Sequence, residues 1–582
     1  MTITSQEIKA PRWRDWIAAL VLFFATALVV VWQNFRLGVL WDLSYILENS
    51  YRISLGDIPY RDFPLAHAPV TFLIQAALIK LTGRVFFHHE LYCAAVGGLA
   101  TLLTWRILLN LLRSVVSSAW WVAFFLSAPL TVLGIYCIFP HPFYDPDCTF
   151  ALLICILLLQ QLDLKGFPPL RSFVTGAALV VPLFIKQNTG LAFLASAGLM
   201  LAIVIGREAW HHRAVAGYVW LLAGAAAGLT WVLLFIHLTS GLANYEHWTV
   251  QYAVSRRMPR LADLLSVYQE HAQVPWWVAT YMAGALLLRV NPRGKRSLVF
   301  LSVSLMALPF AWTCIFQFAG EDSSDRAELL LAMWPFLLIV TFIFALFRVR
   351  ERRGIAMALP FIVIGTIHGG FLSQQLWGST YAMWPLLVIL VGTAFAPAKQ
   401  SCEWSAPVLT YVISVSLLIS GGFYVGSHER LDYAKLSGEV VRPELPALAG
   451  LSVPGPWIPQ FEQLVHFTER EVPWQEGLLM IPGEDLFYYA TGRRPRFPVL
   501  VFDHTANPYD PEEILELSRS RRIGWLIVKR NVQLEQDPVE DKDRLLKLLR
   551  QEFKRVKSLD NYDVYRQTAS GGPSPASPRS SE

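Results

Sequence analysis

The residues able to do chemistry in this sequence stand where apolar runs stop. Asp42 comes directly after the first such run, beside Trp41, and a carboxylate at that boundary could take a proton from a bound hydroxyl. Downstream lie Asp62 and His67 within Gly56-Asp57-Ile58-Pro59-Tyr60-Arg61-Asp62-Phe63-Pro64-Leu65-Ala66-His67. Then come Tyr144-Asp145-Pro146-Asp147, the break Lys186-Gln187-Asn188-Thr189, and Asp325-Arg326. Lysine offers a point charge and arginine a planar fork, and both suit phosphate oxygens. An ionisable group at membrane depth costs at least ~2.5 kcal/mol, so several gathered on one face point to a site. Each also has a plainer reading. Asp42 could cap a helix, Lys186 could snorkel to the interface, and Arg326 could pair with Asp322 or Asp325. His67 could be structural, aspartates among prolines are ordinary turn residues, and Arg61 and Asp62 could pair to order their loop.

Holding such groups in place takes a membrane scaffold, and the composition supplies one. Hydrophobic residues make up 54% of the 582 and charged residues 16%, with a mean hydropathy of +0.41. This excludes a soluble enzyme, a disordered scaffold and a secreted disulfide module. The net charge of +5 is small for the length and its basic residues form no stripe, so no nucleic-acid partner is expected. Four cysteines lie inside apolar runs, Cys148 borders one and Cys402 sits in a short loop. No CxxC or metal spacing occurs, so neither a disulfide nor a zinc site is expected.

After the cytoplasmic residues 1–15, the first apolar run (Trp16–Phe35) reads as a signal anchor behind Lys9, Arg12 and Arg14. Further runs centre near 88–106, 119–139, 148–162, 172–185, 189–206, 215–238, 275–290, 298–318, 328–348, 355–371, 380–396 and 406–424. That is about thirteen spans across 16–424. The run 68–82 rises only ~22 Å as a helix, too little to cross, and reads as interfacial or re-entrant. With that choice, about eighteen Lys/Arg fall on the N-terminal side and about ten on the other, the bias of cytoplasmic loops. Residues 36–67 then form the first outer loop, and everything after Tyr424 lies outside the cytoplasm.

Residues 425–568 read as a small α/β domain. Strands are expected at Gly477–Pro482, Pro498–Phe502 and Gly524–Lys529, and helices near Glu484–Thr491, Pro511–Ser518 and Val539–Phe553. A hairpin over Phe553–Tyr565 turns at Asp560-Asn561. The Ser/Pro/Gly-rich stretch 569–582 reads as disordered.

Taken together, Trp41-Asp42, the Gly56–Phe63 and His67-Ala68-Pro69 stretches, Tyr144–Asp147, Ile185-Lys186-Gln187-Asn188-Thr189-Gly190, Asp325-Arg326 and the tail's Asp485–Tyr489 with Gly492–Pro495 resemble the GT-C glycosyltransferases. The likeness is to the bacterial branch of protein O-mannosyltransferases and lipid A aminoarabinose transferases. The chain departs from that pattern in having Asp42-Leu43-Ser44 rather than an acidic pair, and His67-Ala68-Pro69 where relatives carry Lys-Pro-Pro.

The resemblance implies a GT-C-like polytopic α-helical fold in a bacterial inner membrane, with its active face and C-terminal α/β domain periplasmic. It implies transfer of a sugar from a polyprenyl-phosphate donor to a hydroxyl of a lipid, polysaccharide or protein. Asp42 would then be the general base, with Lys186, Arg326 and His67 at the donor phosphate. Asp145, Asp147, Tyr144, Asn188 and Asp62 would line the substrate pocket. Converging carboxylates leave a bound Mg²⁺ or Mn²⁺ open, though no spacing demands one. The alternatives are a transporter or carrier-lipid flippase, which internal repeats and midplane charges would favour, an O-antigen ligase or polymerase, and a membrane-anchored receptor or assembly factor.

Overall fold

The computed structural model describes residues 13–113, 116–212, 215–257, 261–290, 295–319, 329–373, 380–394, 404–427, 431, 433–503, 505–534 and 542–568. Arg326 and the loop around it, Cys402 and the 569–582 tail lie outside these residues. Among them, nine helices are long and apolar enough to cross a membrane. They begin with α1 (Trp13–Asn34), α4 (Phe86–Leu112), α7 (Tyr144–Lys165), α9 (Gln187–Trp210) and α10 (Ala216–Thr239). Shorter apolar helices occupy α3 (Val70–Thr82), Ala119–Leu133, Pro169–Phe184, Val274–Val290 and Tyr381–Ala394. Among the described residues each apolar run of the sequence is helical over most of its length, and the run 68–82 holds a helix of only 13 residues.

Two of the expected continuous spans are broken, each at a proline. The 119–139 run is α5 (Ala119–Ser127) followed by α6 (Leu130–Leu133), with Pro129 between them and irregular backbone from Gly134. The 172–185 run is α8 (Pro169–Leu179) with a 3₁₀ turn, Val181–Phe184, around Pro182. Small residues let α8 and α10 approach backbone to backbone. A methyl on Gly176 would overlap the carbonyl of Leu221, and one on Gly224 that of Phe173.

The helices fix two opposite ends of the bundle. Asp145 at the start of α7 meets Lys186 just before α9, and Asn188 Nδ2 donates to Leu372 O at the C-terminal end of the Gly354–Phe371 helix (3.0 Å). At the other end of these helices, Asp163 of α7 accepts from the amides of Ile355 and Ala356 (3.2 and 3.3 Å), and Arg207 of α9 donates to Val349 O. The 18-residue Gly354–Phe371 helix separates the two ends by ~27 Å, close to the thickness of a hydrocarbon core.

Residues 36–67, expected as the first outer loop, are not a loop throughout. They contain α2 (Leu40–Ser54), buried nearly all round because it is wedged between the membrane bundle and the C-terminal domain. Its polar residues fall on two stripes at helical spacing. Ser44, Glu48 and Arg52 face the C-terminal domain: Ser44 Oγ donates to Gly483 O (2.7 Å), Glu48 accepts from the amides of Tyr488 and Tyr489 (2.8 and 3.2 Å), and Arg52 Nη1 donates to Pro498 O (2.7 Å). Asp42, Tyr45 and Asn49 form the second stripe. Gln533 closes the joint, receiving the amide of Leu40 (2.7 Å) and donating to Gly38 O (2.9 Å).

Beyond the two-residue strands β1 (Val440–Val441) and β2 (Val453–Pro454), the C-terminal domain has β3 (Gly477–Ile481), β4 (Ile523–Lys529), β5 (Phe553–Ser558) and β6 (Tyr562–Gln567), which form a four-stranded sheet in the order β3-β4-β6-β5. β3 and β4 are parallel, while β4–β6 and β6–β5 are antiparallel, and the β5–β6 hairpin turns at Leu559–Asn561. The helix Pro511–Ser520 opens on a reciprocal cap between Asp510 and Glu513, and the last helix is Lys542–Glu552. Pro498–Phe502 is not a strand. It is a buried loop, joined to the β3 end by the Phe502 amide on Pro482 O (2.8 Å), and its apolar residues reflect burial rather than pairing. The amphipathic helix Trp457–Glu471 and the two-residue pair Val440–Val441 with Val453–Pro454 were not foreseen. Beneath the joint with α2, Lys529 is buried between Glu484 (2.6 Å) and Asp485 (2.8 Å). Burial alone would lower its proton affinity, but the two carboxylates outweigh that and hold it above the usual lysine range.

Candidate active site

Four of the sequence-derived residues form one continuous cluster where α2, α7 and α9 meet. Lys186 and Asp145 make an ion pair with both side chains 5% exposed. The Lys186 ammonium also lies 5.8 Å from the Tyr144 ring centre. Tyr144 stacks on His67 at 4.3 Å and 24°, and His67 Nδ1 lies 2.6 Å from the Tyr45 hydroxyl. Tyr45 stands one helical turn from Asp42 on the same face of α2. Asp42 is half-buried and receives a hydrogen bond from the Tyr433 hydroxyl at 2.8 Å.

Local backbone explains why these side chains meet. The 3₁₀ turn at Val181–Phe184 ends the short helix before Lys186, whose extended backbone (φ −141°) then starts α9. Gln187, next in sequence, clips the segment on both sides of His67. Its Nε2 donates to Ala66 O (2.8 Å) and to Thr249 O (3.3 Å), while its Oε1 accepts from the Ala68 amide (3.2 Å). Tyr60 adds a third hold, its hydroxyl donating to His67 O at 2.7 Å. Tyr60 itself sits at φ +68°, costly for an aromatic residue, and is kept there by this bond and by edge-to-face packing on Tyr245 (5.1 Å).

The remaining candidates stand apart from the cluster. Asp147 is two positions further into α7's first turn, caged by the hydroxyls of Thr71, Tyr92 and Tyr136, each at 2.7 Å, so its oxygens tie α7 to α3, to α4 and to the irregular stretch after α6. Asn188 points to Leu372 O and receives the Thr189 amide (2.9 Å). Asp62 accepts from the Ile58 amide (2.7 Å) and pairs with Arg61 (2.9 Å) on the exposed side of the loop, ordering its turn. Beside the cluster, His141 accepts from the Val39 amide (3.4 Å) and lies 3.2 Å from Asn34 Oδ1. Burial pushes it down to about 3, so it is a neutral spacer under the start of α2.

Tyr45, Gln187 and Tyr433 are the site residues the sequence reading missed. Tyr45 was findable from its spacing to Asp42 once 40–54 is recognised as a helix. Gln187 was adjacent to a singled-out residue. Tyr433 had no local signal. Among the described residues no group of three or more His, Cys, Asp or Glu is placed to hold a metal. Asp145 is engaged by Lys186 and Asp147 by three hydroxyls, so these two carboxylates do not form a cation cradle.

No family model and no curated protein matches the chain. Among solved structures it is similar to ArnT from Cupriavidus metallidurans bound to undecaprenyl phosphate, at 12% identity over 96% of this chain and 99% of that one, with a TM-score of 0.43. The apo form of the same protein gives 13% identity, 96% and 98% coverage and a TM-score of 0.44. The oligosaccharyltransferase of Archaeoglobus fulgidus in complex with zinc and sulfate gives 10% identity over 95% of this chain and 73% of that one, with a TM-score of 0.44.

Proposed function

We propose that the chain is an integral-membrane glycosyltransferase, moving a sugar from a polyprenyl-phosphate donor to an acceptor hydroxyl on the non-cytoplasmic face. The observation that carries this reading is the unbroken series Asp145–Lys186–Tyr144–His67–Tyr45, which ends one helical turn from Asp42. A carboxylate and a cation are thus held at opposite ends of an aromatic-walled cluster, at the end of the bundle where a short helix and a buried outer helix meet.

Each part has a task in glycosyl transfer. The acceptor oxygen bonds to the anomeric carbon as the bond from that carbon to the phosphate oxygen breaks. Asp42 takes the hydroxyl proton, with the Tyr433 hydroxyl fixing its carboxylate. The departing phosphate competes with Asp145 for Lys186, which meets the charge that develops on it, and His67 stands beside that path. Arg326 is a further cation for the phosphate. The Tyr144 ring offers the sugar a flat face, and Asp145 orients Lys186. A single base acting directly on the acceptor predicts inversion at the anomeric carbon.

The test is release and transfer of sugar from a panel of polyprenyl-phosphate-linked donors by the purified protein, with Asp42→Asn alongside. Transfer by the wild type and loss in the variant is expected, and equal turnover by both sinks the mechanism. Labelling of single cysteines placed at Asp42 and Lys186 should find both accessible from the same side of the membrane.

A further inference from the structure

At the end of the bundle remote from Asp42, the Met333–Arg348 helix and the Gly354–Phe371 helix are joined by a short turn, and a small open cleft lies beside it. Arg348, Arg352, Phe344, Val349, Met357 and Thr393 are among its lining residues. Arg348 and Arg352 stand on successive turns, the Arg352 amide donating to Arg348 O at 2.9 Å, and both are half-buried. Neither forms an ion pair with a carboxylate of the described residues, and Glu351 between them is exposed. Arg207 adds a third guanidinium at the rim, occupied by the carbonyls of Val349 and Arg350. The adjoining face of the helix carries Phe342, Leu346 and Phe347, exposed by 44%, 52% and 63%, as a lipid-facing surface would.

We propose that this cleft binds the phosphate group of an anionic phospholipid, gripped by Arg348 and Arg352, with its acyl chains lying along Phe342, Leu346 and Phe347. Two half-buried guanidinium groups on successive turns, neither held in an ion pair among the described residues, present a pair of planar forks that match phosphate oxygens. The apolar walls distinguish a lipid from a free ion, and basic pockets between membrane helices are suited to such headgroups. The charge bias of the sequence assigns this end to the cytoplasmic leaflet, so the site is distinct from any that receives the donor at Asp42.

The full chain, purified in detergent, is titrated with phosphatidylglycerol or phosphatidylcholine and read by native mass spectrometry. Phosphatidylglycerol should be retained and phosphatidylcholine not. Arg348→Gln with Arg352→Gln should weaken retention at least ten-fold. Arg350→Gln with Arg353→Gln, which removes the same charge from exposed positions of the same turn, should leave it unchanged. The single Arg352→Gln keeps the question decidable if the double variant unfolds, and it too should weaken retention. Millimolar inorganic phosphate should not displace the lipid, and displacement would identify a free-anion site instead. Wild-type retention by the cleft variants, or equal loss in the control pair, overturns the proposal.

Discussion

The hydroxyl of Tyr433 donates to Oδ2 of Asp42 at 2.8 Å, joining the segment that follows the last membrane helix to the start of α2. The carboxylate proposed as base is therefore oriented by a residue nearly four hundred positions later in the chain. Hydrogen bonds to charged groups contribute about 1.5–3 kcal/mol. Tyr433→Phe should lower kcat for sugar transfer by about ten-fold or more, with little change in KM and in thermal midpoint. Asp42→Asn should lower it by at least ~100-fold. Steady-state transfer from a labelled donor separates the two. A Tyr433→Phe variant that changes KM alone would place the phenol on the substrate rather than on the base.

Lys186 and Asp145 form a buried pair, and removing one partner strands the other's charge. Lys186→Met should cost about 3–5 kcal/mol of stability. Adding Asp145→Leu removes the stranded carboxylate and should restore most of that loss, since replacing both members of such a pair by apolar groups is often neutral. Transfer should stay strongly reduced in the double variant, because the buried ammonium that meets the leaving phosphate is gone. Thermal unfolding and transfer assays on the three proteins distinguish a structural pair from a working one. Recovery of activity along with stability would remove Lys186 from the mechanism.

The sequence was legible where single physical signals dominate. Apolar runs located the helices because a span must hide its backbone from lipid, and the cost of charge near the bilayer singled out Lys186 and Asp145. It was less legible where tertiary placement decides. Leu40–Ser54 looks like loop because its polar residues are spread around the helix, and only two docking surfaces, one on each side, make sense of Ser44, Glu48 and Arg52 against Asp42, Tyr45 and Asn49. Pro498–Phe502 has strand composition yet is buried without a ladder. Asp145 and Asp147 are two residues apart, and nothing local tells that one meets a lysine and the other three hydroxyls.

Glu48 gives a pH prediction for the joint between α2 and the C-terminal domain, which lies outside the spans. Burial pushes its carboxyl up to about 8, against the amides of Tyr489 and Tyr488, which favour ionisation, while nearby Asp485 adds to the rise. Between pH 4.5 and about 8 the unfolded chain gives up this proton while the folded one keeps it. Stability therefore falls as pH rises through that window and levels off above it, at up to about 1.4 kcal/mol per pH unit from this group. Glu48→Gln should flatten the slope. Thermal midpoints of both proteins at pH 5, 6.5 and 8 test it, and parallel curves would show that Glu48 does not titrate there.

Gly190 closes the turn that sets Lys186, its amide donating to Lys186 O at 2.8 Å in the first turn of α9. A methyl at this position would overlap the backbone of Pro182 and Leu183, so the start of α9 could not lie against the 3₁₀ turn. Backbone atoms cannot swing aside as a side-chain tip can, and overpacking of this kind costs about 1–3 kcal/mol. Gly198 on the same helix has nothing within 4 Å of the corresponding point, so there alanine should be neutral or add up to ~1 kcal/mol through helix propensity. Gly190→Ala should thus lower the thermal midpoint and reduce sugar transfer beyond what the stability loss explains, because Lys186 is displaced from Asp145 and Tyr144. Gly198→Ala should retain both. If the two substitutions behave alike, the close approach of α9 to the turn is not what holds the lysine in place.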